Sequence, residues 1–261
     1  MSMRPPDGPG SKRKAAIKPF YRVHAHTNPL ADKLYDYPVR PDLMDWTKVY
    51  PQFNKEGGDK VDIVDVGCAW GGLAISLAEL FPEKYVLGLE IRERVVEYTQ
   101  ERIAKMREES AEGKHKNVGC LMCNCMKSMP NFFEEGQIEK MFFTFPDPHF
   151  KKCKQRRRII NPTLLAEYAY LIKDNGILYT ITDVLDLHRW MAACLDAHPL
   201  FERLTEEEME KDPCVKLMTF ETEESKKVDR NKGSKYPAVY RRIPRAKAIQ
   251  IAEEKEKAED N

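Results

Sequence analysis

A chain of 261 residues with 42% apolar content can build one large or two small cores, and 43 basic against 42 acidic residues leave it nearly neutral. That balance excludes a generally cationic coat, so any contact with nucleic acid must come from local clustering. No apolar run approaches the roughly 18 residues of a membrane helix, and none at the N-terminus resembles a signal peptide. The seven cysteines form no regular framework, which points to a reducing compartment, nucleus or cytosol.

Residues 1–58 are expected to form a basic, partly disordered N-terminal arm. The first 18 or so are rich in Pro, Gly and Lys, and the run Ser11–Lys14 is a thin nuclear-import signal. Thr27, before Asn28-Pro29, is expected on an exposed turn where phosphorylation would add charge near a pocket. Trp46, Tyr50 and Phe53 are expected to staple the arm to the core rather than to stack on bases.

Residues 59–243 alternate between strand and helix patterns. "VDIVDVG" predicts a buried strand, "GGLAISLAELFP" a helix stopped by Pro82, and "YVLGLEI" a second strand. A long amphipathic helix follows from about Glu93 to Glu109; "VGCLMCN" and "KMFFTF" predict the third and fourth strands. In "NPTLLAEYAYLIKDNG" Asn161 can cap, Pro162 suits the first turn and Asn175-Gly176 would close the helix. "ILYTITD" predicts a fifth strand, "DLHRWMAACLDAHP" a helix, and "LFERL" and "YPAVYRRI" two last strands, antiparallel ones. Such alternation argues for an α/β fold with a doubly wound, mostly parallel sheet. Residues 244–261 form a charged tail, either a solvated helix or a frayed end.

The turn Asp65–Gly71 lies where such sheets bind ligands, and Glu90 ends the second strand, spaced to accept both ribose hydroxyls of an adenosine cofactor. A dinucleotide fingerprint would place its second glycine at Ala69, so that backbone could touch pyrophosphate. S-adenosylmethionine has no pyrophosphate and tolerates a methyl group there more easily. Both cofactors stay open at this point, as does a plain tight turn. Trp70 is placed either to contact adenine or to be buried.

"MFFTFPDPHFKKCKQRRR" runs from a buried strand into Pro146-Asp147-Pro148, whose rings hold the Asp147 carboxylate stiffly past the strand end. Behind it come Lys151, Lys152, Lys154, Arg156, Arg157 and Arg158 without an interleaved acid. Such a run repels itself unless phosphates lie nearby, which favours an RNA or DNA substrate over a solvated helix face. His149 is expected to cap or pack. Cys120, Cys123 and Cys125 lie in an apolar strand without a second pair, and His24 and His26 lack a third ligand, so no metal is expected.

The stretches "FYRVHAHTNPLAD", "GLEIR", "MPNFF", "MFFTFPDPHFK", "NPTLLAEYAYL", "YTITDVLDLH", "HPLFER" and "TEESKK" resemble the eukaryotic tRNA (guanine-N7)-methyltransferases, catalytic subunit, from Phe20 to Ile243. The resemblance implies a Rossmann-like class I S-adenosylmethionine-dependent fold with helices on both faces and an antiparallel last strand. It implies methyl transfer to N7 of a guanosine in the variable loop of tRNA, with Asp147 as the catalytic acid. Family cofactor positions fall on Gly67, Glu90, Arg92, Asn124, Cys125, Thr144, Thr222 and Glu224, the last two on a loop beside the methionine end. The resemblance also implies a separate non-catalytic WD-repeat β-propeller subunit; the expected location is the nucleus, with the cytoplasm as a second one. Where the family usually carries glycine this chain has Ala69, which would strain the turn and weaken cofactor binding if φ is positive there.

Other functions remain open on the residues alone. A methyltransferase for another RNA, a protein or a small molecule would use the same cofactor turn, but a small substrate gains little from six cations. A non-catalytic RNA-binding scaffold would not need Glu90 and Asp147 intact. A dinucleotide oxidoreductase leaves FPDP and the basic run unexplained.

Overall fold

The computed structural model describes residues 27–31, 35–110 and 113–259; Ser11–Lys14, His24 and His26 lie outside the described residues. Strands β1 (Val61–Val66), β2 (Tyr85–Glu90), β3 (Val118–Met122), β4 (Ile138–Thr144), β5 (Ile172–Thr182), β6 (Phe201–Arg203) and β7 (Tyr236–Arg242) form one sheet. Their order is β3-β2-β1-β4-β5-β7-β6. The first five run parallel, and β7 is antiparallel to both of its neighbours, β5 and β6.

Alternate residues of the central strands point to opposite faces, and both faces are covered, which is why these strands are almost wholly apolar. Ile63, Phe142 and Tyr179 share one apolar cluster with the inner faces of α1 (Gly72–Leu80) and α2 (Glu93–Glu109). Val64, Val66, Met141 and Phe143 pack under α3 (Pro162–Leu171) and α4 (Leu185–Asp196). The second face also takes Trp46, Tyr50 and Phe53. Trp46 stacks on Phe133 at 6.0 Å, and Tyr50 Oη donates to Val86 O at 3.0 Å. These three aromatics are core staples, as their sequence context predicts.

Helix α3 starts as expected, with Asn161 Oδ1 accepting from Leu164 N at 3.0 Å and Pro162 in the first turn. It ends at Leu171, however, and Asn175-Gly176 lies inside β5. Ile138 faces Ile172 while Lys140 faces Ile177, so four residues of β5 stand opposite Glu139 alone and the register slips by three. Asn175 takes φ 65°, and a Cβ on Gly176 would lie 2.9 Å from Lys173 O and 3.0 Å from Glu139 O. The same residue pair serves a helix stop and a strand bulge, so the pair alone did not distinguish them.

Between β6 and β7 lie three short helices, α5 (Glu206–Lys211), α6 (Pro213–Phe220) and α7 (Glu223–Arg230), and after β7 comes α8 (Arg245–Glu259). "TEESKK" therefore opens a helix instead of forming a loop. Thr222 caps it by accepting from Ser225 N at 3.0 Å, in the way Thr205 caps α5 and Asp212 caps α6.

The chain leaves β1 for β2 and β3 on one side, then returns to β4 on the other. A crevice must open at this reversal, beyond the carboxyl ends of β1 and β4.

Candidate active site

The turn after β1 contains three left-handed residues, Gly67 (φ 76°), Ala69 (φ 47°) and Gly71 (φ 76°). Gly67 N and Cys68 N both donate to Leu89 O, at 2.7 and 3.1 Å, which ties the turn to the end of β2. From α2, Thr99 Oγ1 donates to Ala69 O at 3.0 Å. A Cβ on Gly67 would meet nothing within 4 Å, so open space lies directly beside the backbone. Ala69 does occupy the strained region, at a cost of roughly 1 kcal/mol.

Gly67, Glu90, Arg92, Asn124, Cys125 and Thr144 all line one cavity, and Asp147 lines it too. A second cavity lies beside the first and shares Gly67, Thr144 and Phe145 with it; Asp65, Ala69, Thr222 and Glu224 are also in its wall. The two are lobes of a single cleft across the switch point. All eight residues expected at the cofactor thus come together, with Thr222 and Glu224 at the far lobe. Trp70 lines that far lobe, edge-on to Tyr98 at 4.9 Å, and is absent from the wall around Glu90.

Glu90 is buried, and its Oε1 accepts from Ile91 N (2.8 Å), Arg92 N (3.0 Å) and Arg92 Nε (3.1 Å), while Oε2 accepts from Arg92 Nη2 at 2.8 Å. Arg92 thereby orients the carboxylate as well as lining the cavity. Asn124 Nδ2 donates to Pro29 O at 2.7 Å, which brings Thr27 and Pro29 of the N-terminal arm onto the cavity wall. Thr27 is half-buried there, less open than its turn context suggests.

Asp147 follows β4 on a turn made rigid from both sides. Phe145 (φ 49°) and His149 (φ 44°) both hold left-handed backbone, and Phe145 N donates to Ile181 O at 2.8 Å. Non-glycine residues in that region each cost of order 1–3 kcal/mol and persist only where the surroundings enforce them. His149 lines the cavity beside Asp147.

The six cations behind this turn separate into three groups. Lys151, Lys152, Lys154 and Arg156 are exposed on or beside a 3-10 helix, Lys152–Arg157. Arg157 is half-buried, lines the cavity, and its Nε has no partner among the described residues. Arg158 is only 5% exposed; its Nε donates to Pro148 O at 2.9 Å and its guanidinium lies 4.8 Å from the Trp190 ring. Arg158 is therefore a brace for the Asp147 turn, and the expectation that it meets phosphate is corrected: it follows the 3-10 helix in extended backbone and packs inward against Trp190.

Asp65 was not singled out by its sequence context, although a carboxylate in an apolar central strand is a signal. It is 1% exposed, and its Oδ1 has no partner among the described residues. Burial pushes its carboxyl up to about 7, and the Glu90 charge adds to the shift. Arg102 and Lys235 were also missed. Arg102 Nη1 donates to Trp70 O at 2.7 Å and to Glu223 Oε1 at 3.3 Å, joining the glycine turn to α7. A buried carboxylate for two ribose hydroxyls, an open glycine cradle and an orphaned acid in the far lobe fit S-adenosylmethionine, whose methionine end is cationic. Among the described residues no group of His, Cys, Asp and Glu is placed to hold a metal, and no helix is long and apolar enough to cross a membrane.

Residues 59–238 match a family model described as "Putative methyltransferase". The chain is 53% identical over 91% of its length to the tRNA (guanine-N(7)-)-methyltransferase of Schizosaccharomyces pombe, covering 89% of that protein. It is 53% identical to the Caenorhabditis elegans protein of the same name (87% of this chain, 88% of that one) and 47% identical to the Mus musculus one (90% and 93%). Among solved structures, the 16S rRNA methyltransferase KamB shares the fold at a TM-score of 0.50 and 15% identity, covering 72% of this chain and 90% of that one. The chain belongs to the tRNA (guanine-N7)-methyltransferase family.

Proposed function

We infer that the chain transfers a methyl group from S-adenosylmethionine to N7 of a guanosine in the variable loop of tRNA. The observation that carries this is the placement of Asp147, held on a strained turn at the wall of the two-lobed cleft with four exposed cations directly behind it. When bound, S-adenosylmethionine supplies an electrophilic methyl on a sulfonium. Glu90 and Arg92 would hold its ribose, Asn124 and Cys125 its base, and Asp65, Thr222 and Glu224 its methionine end.

Guanine N7 has an in-plane lone pair and needs no deprotonation, so the chain's task is positioning at near-attack distance. Asp147 would accept hydrogen bonds from the base edge and favour the positive charge that develops on the imidazole ring of guanine. The base has to leave the tRNA core to reach it. Lys151, Lys152, Lys154 and Arg156 would anchor phosphates, while Arg157 would add its charge at the cleft wall. The near-neutral chain supports a second subunit that shares the tRNA, which we propose to be a WD-repeat β-propeller. The free cysteines and the Ser11–Lys14 run support a nuclear location.

Incubation with unmodified tRNA and methyl donor, with and without a propeller subunit, followed by mass spectrometry of the nucleosides, tests the reaction. Asp147→Ala is expected to abolish N7-methylguanosine formation while donor binding persists. Undiminished product from that variant would remove Asp147 from the chemistry.

A further inference from the structure

Phe150 is the most exposed aromatic side chain among the described residues, at 71%. Single exposed apolar residues are common and mean little alone. Phe220 is exposed too, but it lies under Lys235, 5.1 Å from the ring centroid. The setting of Phe150 is different. It comes three residues after Asp147 and directly after His149, which lines the cleft. The turn that presents it is fixed by Pro146, Pro148, the left-handed His149 and the Arg158 bond to Pro148 O. Exposed Lys151 and Lys152 follow at once.

A phenyl ring on a rigid mount, beside the cavity that must receive a base and ahead of cations suited to phosphate, matches what a nucleic-acid stacking site requires. Base–aromatic stacking is sequence-tolerant and needs only an accessible ring face next to an electrostatic anchor. Extrusion of a base leaves an unstacked gap in the RNA, and apolar side chains fill such gaps in proteins that distort nucleic acids.

We propose that Phe150 stacks in the gap that the extruded guanosine leaves in tRNA, and so holds the base out while Asp147 orients it. This rests on the reading of the cleft as a tRNA-methylating site. Phe150 is a positioning residue here: it touches the neighbouring bases and not the reacting atoms. An aromatic contact of this kind corresponds to about 5- to 150-fold in affinity or rate.

The test uses the full chain with its propeller subunit and a tRNA carrying 2-aminopurine next to the variable-loop guanosine. Phe150→Ala is expected to remove the fluorescence change on binding and to slow single-turnover methylation at least tenfold. Phe150→Trp is expected to restore both to within about threefold, and donor affinity by calorimetry should be equal in all three proteins. Wild-type rate and fluorescence in Phe150→Ala would overturn the proposal, as would a loss traced by gel filtration to dissociation of the propeller. A Phe150-dependent fluorescence change without any N7-methylguanosine from the wild type would support the stacking role and overturn the activity instead.

Discussion

Lys235 Nζ lies 2.6 Å from Ser225 Oγ, 2.7 Å from Thr219 O and 2.7 Å from Asp229 Oδ2, so one ammonium joins the end of α6 to both the first and the last turn of α7. Its side chain is 8% exposed, and Ser225 Oγ in turn donates to Thr219 O. Thr222, which lines the far lobe, sits inside this brace. Lys235→Met should leave Ser225 Oγ without its donor, leave Thr219 O with Ser225 Oγ alone, and loosen the wall of the lobe. The expected outcome is a KM for the methyl donor raised about tenfold, a smaller change in kcat, and a loss of ~1–3 kcal/mol in stability. Donor titrations at saturating tRNA and urea melts check both.

The buried Asp65 makes the free protein's stability depend on pH. Its folded value of about 7 lies above the ordinary carboxylate value of about 3.9, so folding favours the protonated form. The contribution is fully present below about pH 4 and is lost as pH rises through 7, with a ceiling of about 4 kcal/mol. Asp65→Asn keeps the shape without the charge, so it should melt higher than the parent at pH 8 and close to it at pH 4. A cation in the far lobe favours the carboxylate, so donor affinity should rise from pH 6 to pH 8 in the parent and stay flat in Asp65→Asn. Melts and calorimetry across that range measure the two slopes.

The cofactor half of this site was legible because it is local: a strand, a glycine turn and an acid at the next strand end each leave a mark within a few residues. Asp147 was legible for the same reason, through two prolines and a strand end. Arg158 was not, because a run of six cations carries no sign of which one turns toward Trp190. The α5–α7 segment hid behind its polar composition, although Thr205 and Glu208 spell a capping box. Lys235 and Arg102 could not be found from sequence, since their partners lie on separate elements and meet only after the sheet has formed. The Asn175-Gly176 bulge was misplaced because the strand it pairs with, which brings Glu139 O within 3.0 Å of a Cβ on Gly176, is distant in sequence and leaves no mark in the local pattern.

The inward turn of Arg158 separates two kinds of failure in the basic run. Arg156→Ala removes an exposed charge, so it should leave stability within about 0.5 kcal/mol and lower the salt slope of tRNA binding by roughly 1. Arg158→Ala removes the donor to Pro148 O and the cation over Trp190, so it should cost about 2–4 kcal/mol in stability. It should also slow methylation by releasing the Asp147 turn, with the salt slope unchanged. Filter binding at several salt concentrations, set beside thermal melts, separates them. An equal salt effect from both variants would place Arg158 on the tRNA.

Ala69 strains the turn, but its φ of 47° is held by bonds internal to the fold: Thr99 Oγ1 donates to Ala69 O, and the Leu89 carbonyl accepts from Gly67 N and Cys68 N. The strain therefore belongs to folding and not to binding. Ala69→Gly should relieve roughly 1 kcal/mol of it, against about 0.4–1 kcal/mol of added freedom in the unfolded chain. The two nearly cancel, so the melt should move by less than about 1 kcal/mol in either direction. Donor affinity should change less than about twofold, because bonds within the fold, and not the donor, hold this backbone. A gain of about tenfold in affinity on Ala69→Gly, measured by calorimetry, would show instead that the turn rearranges on binding and that the methyl group opposes the rearrangement.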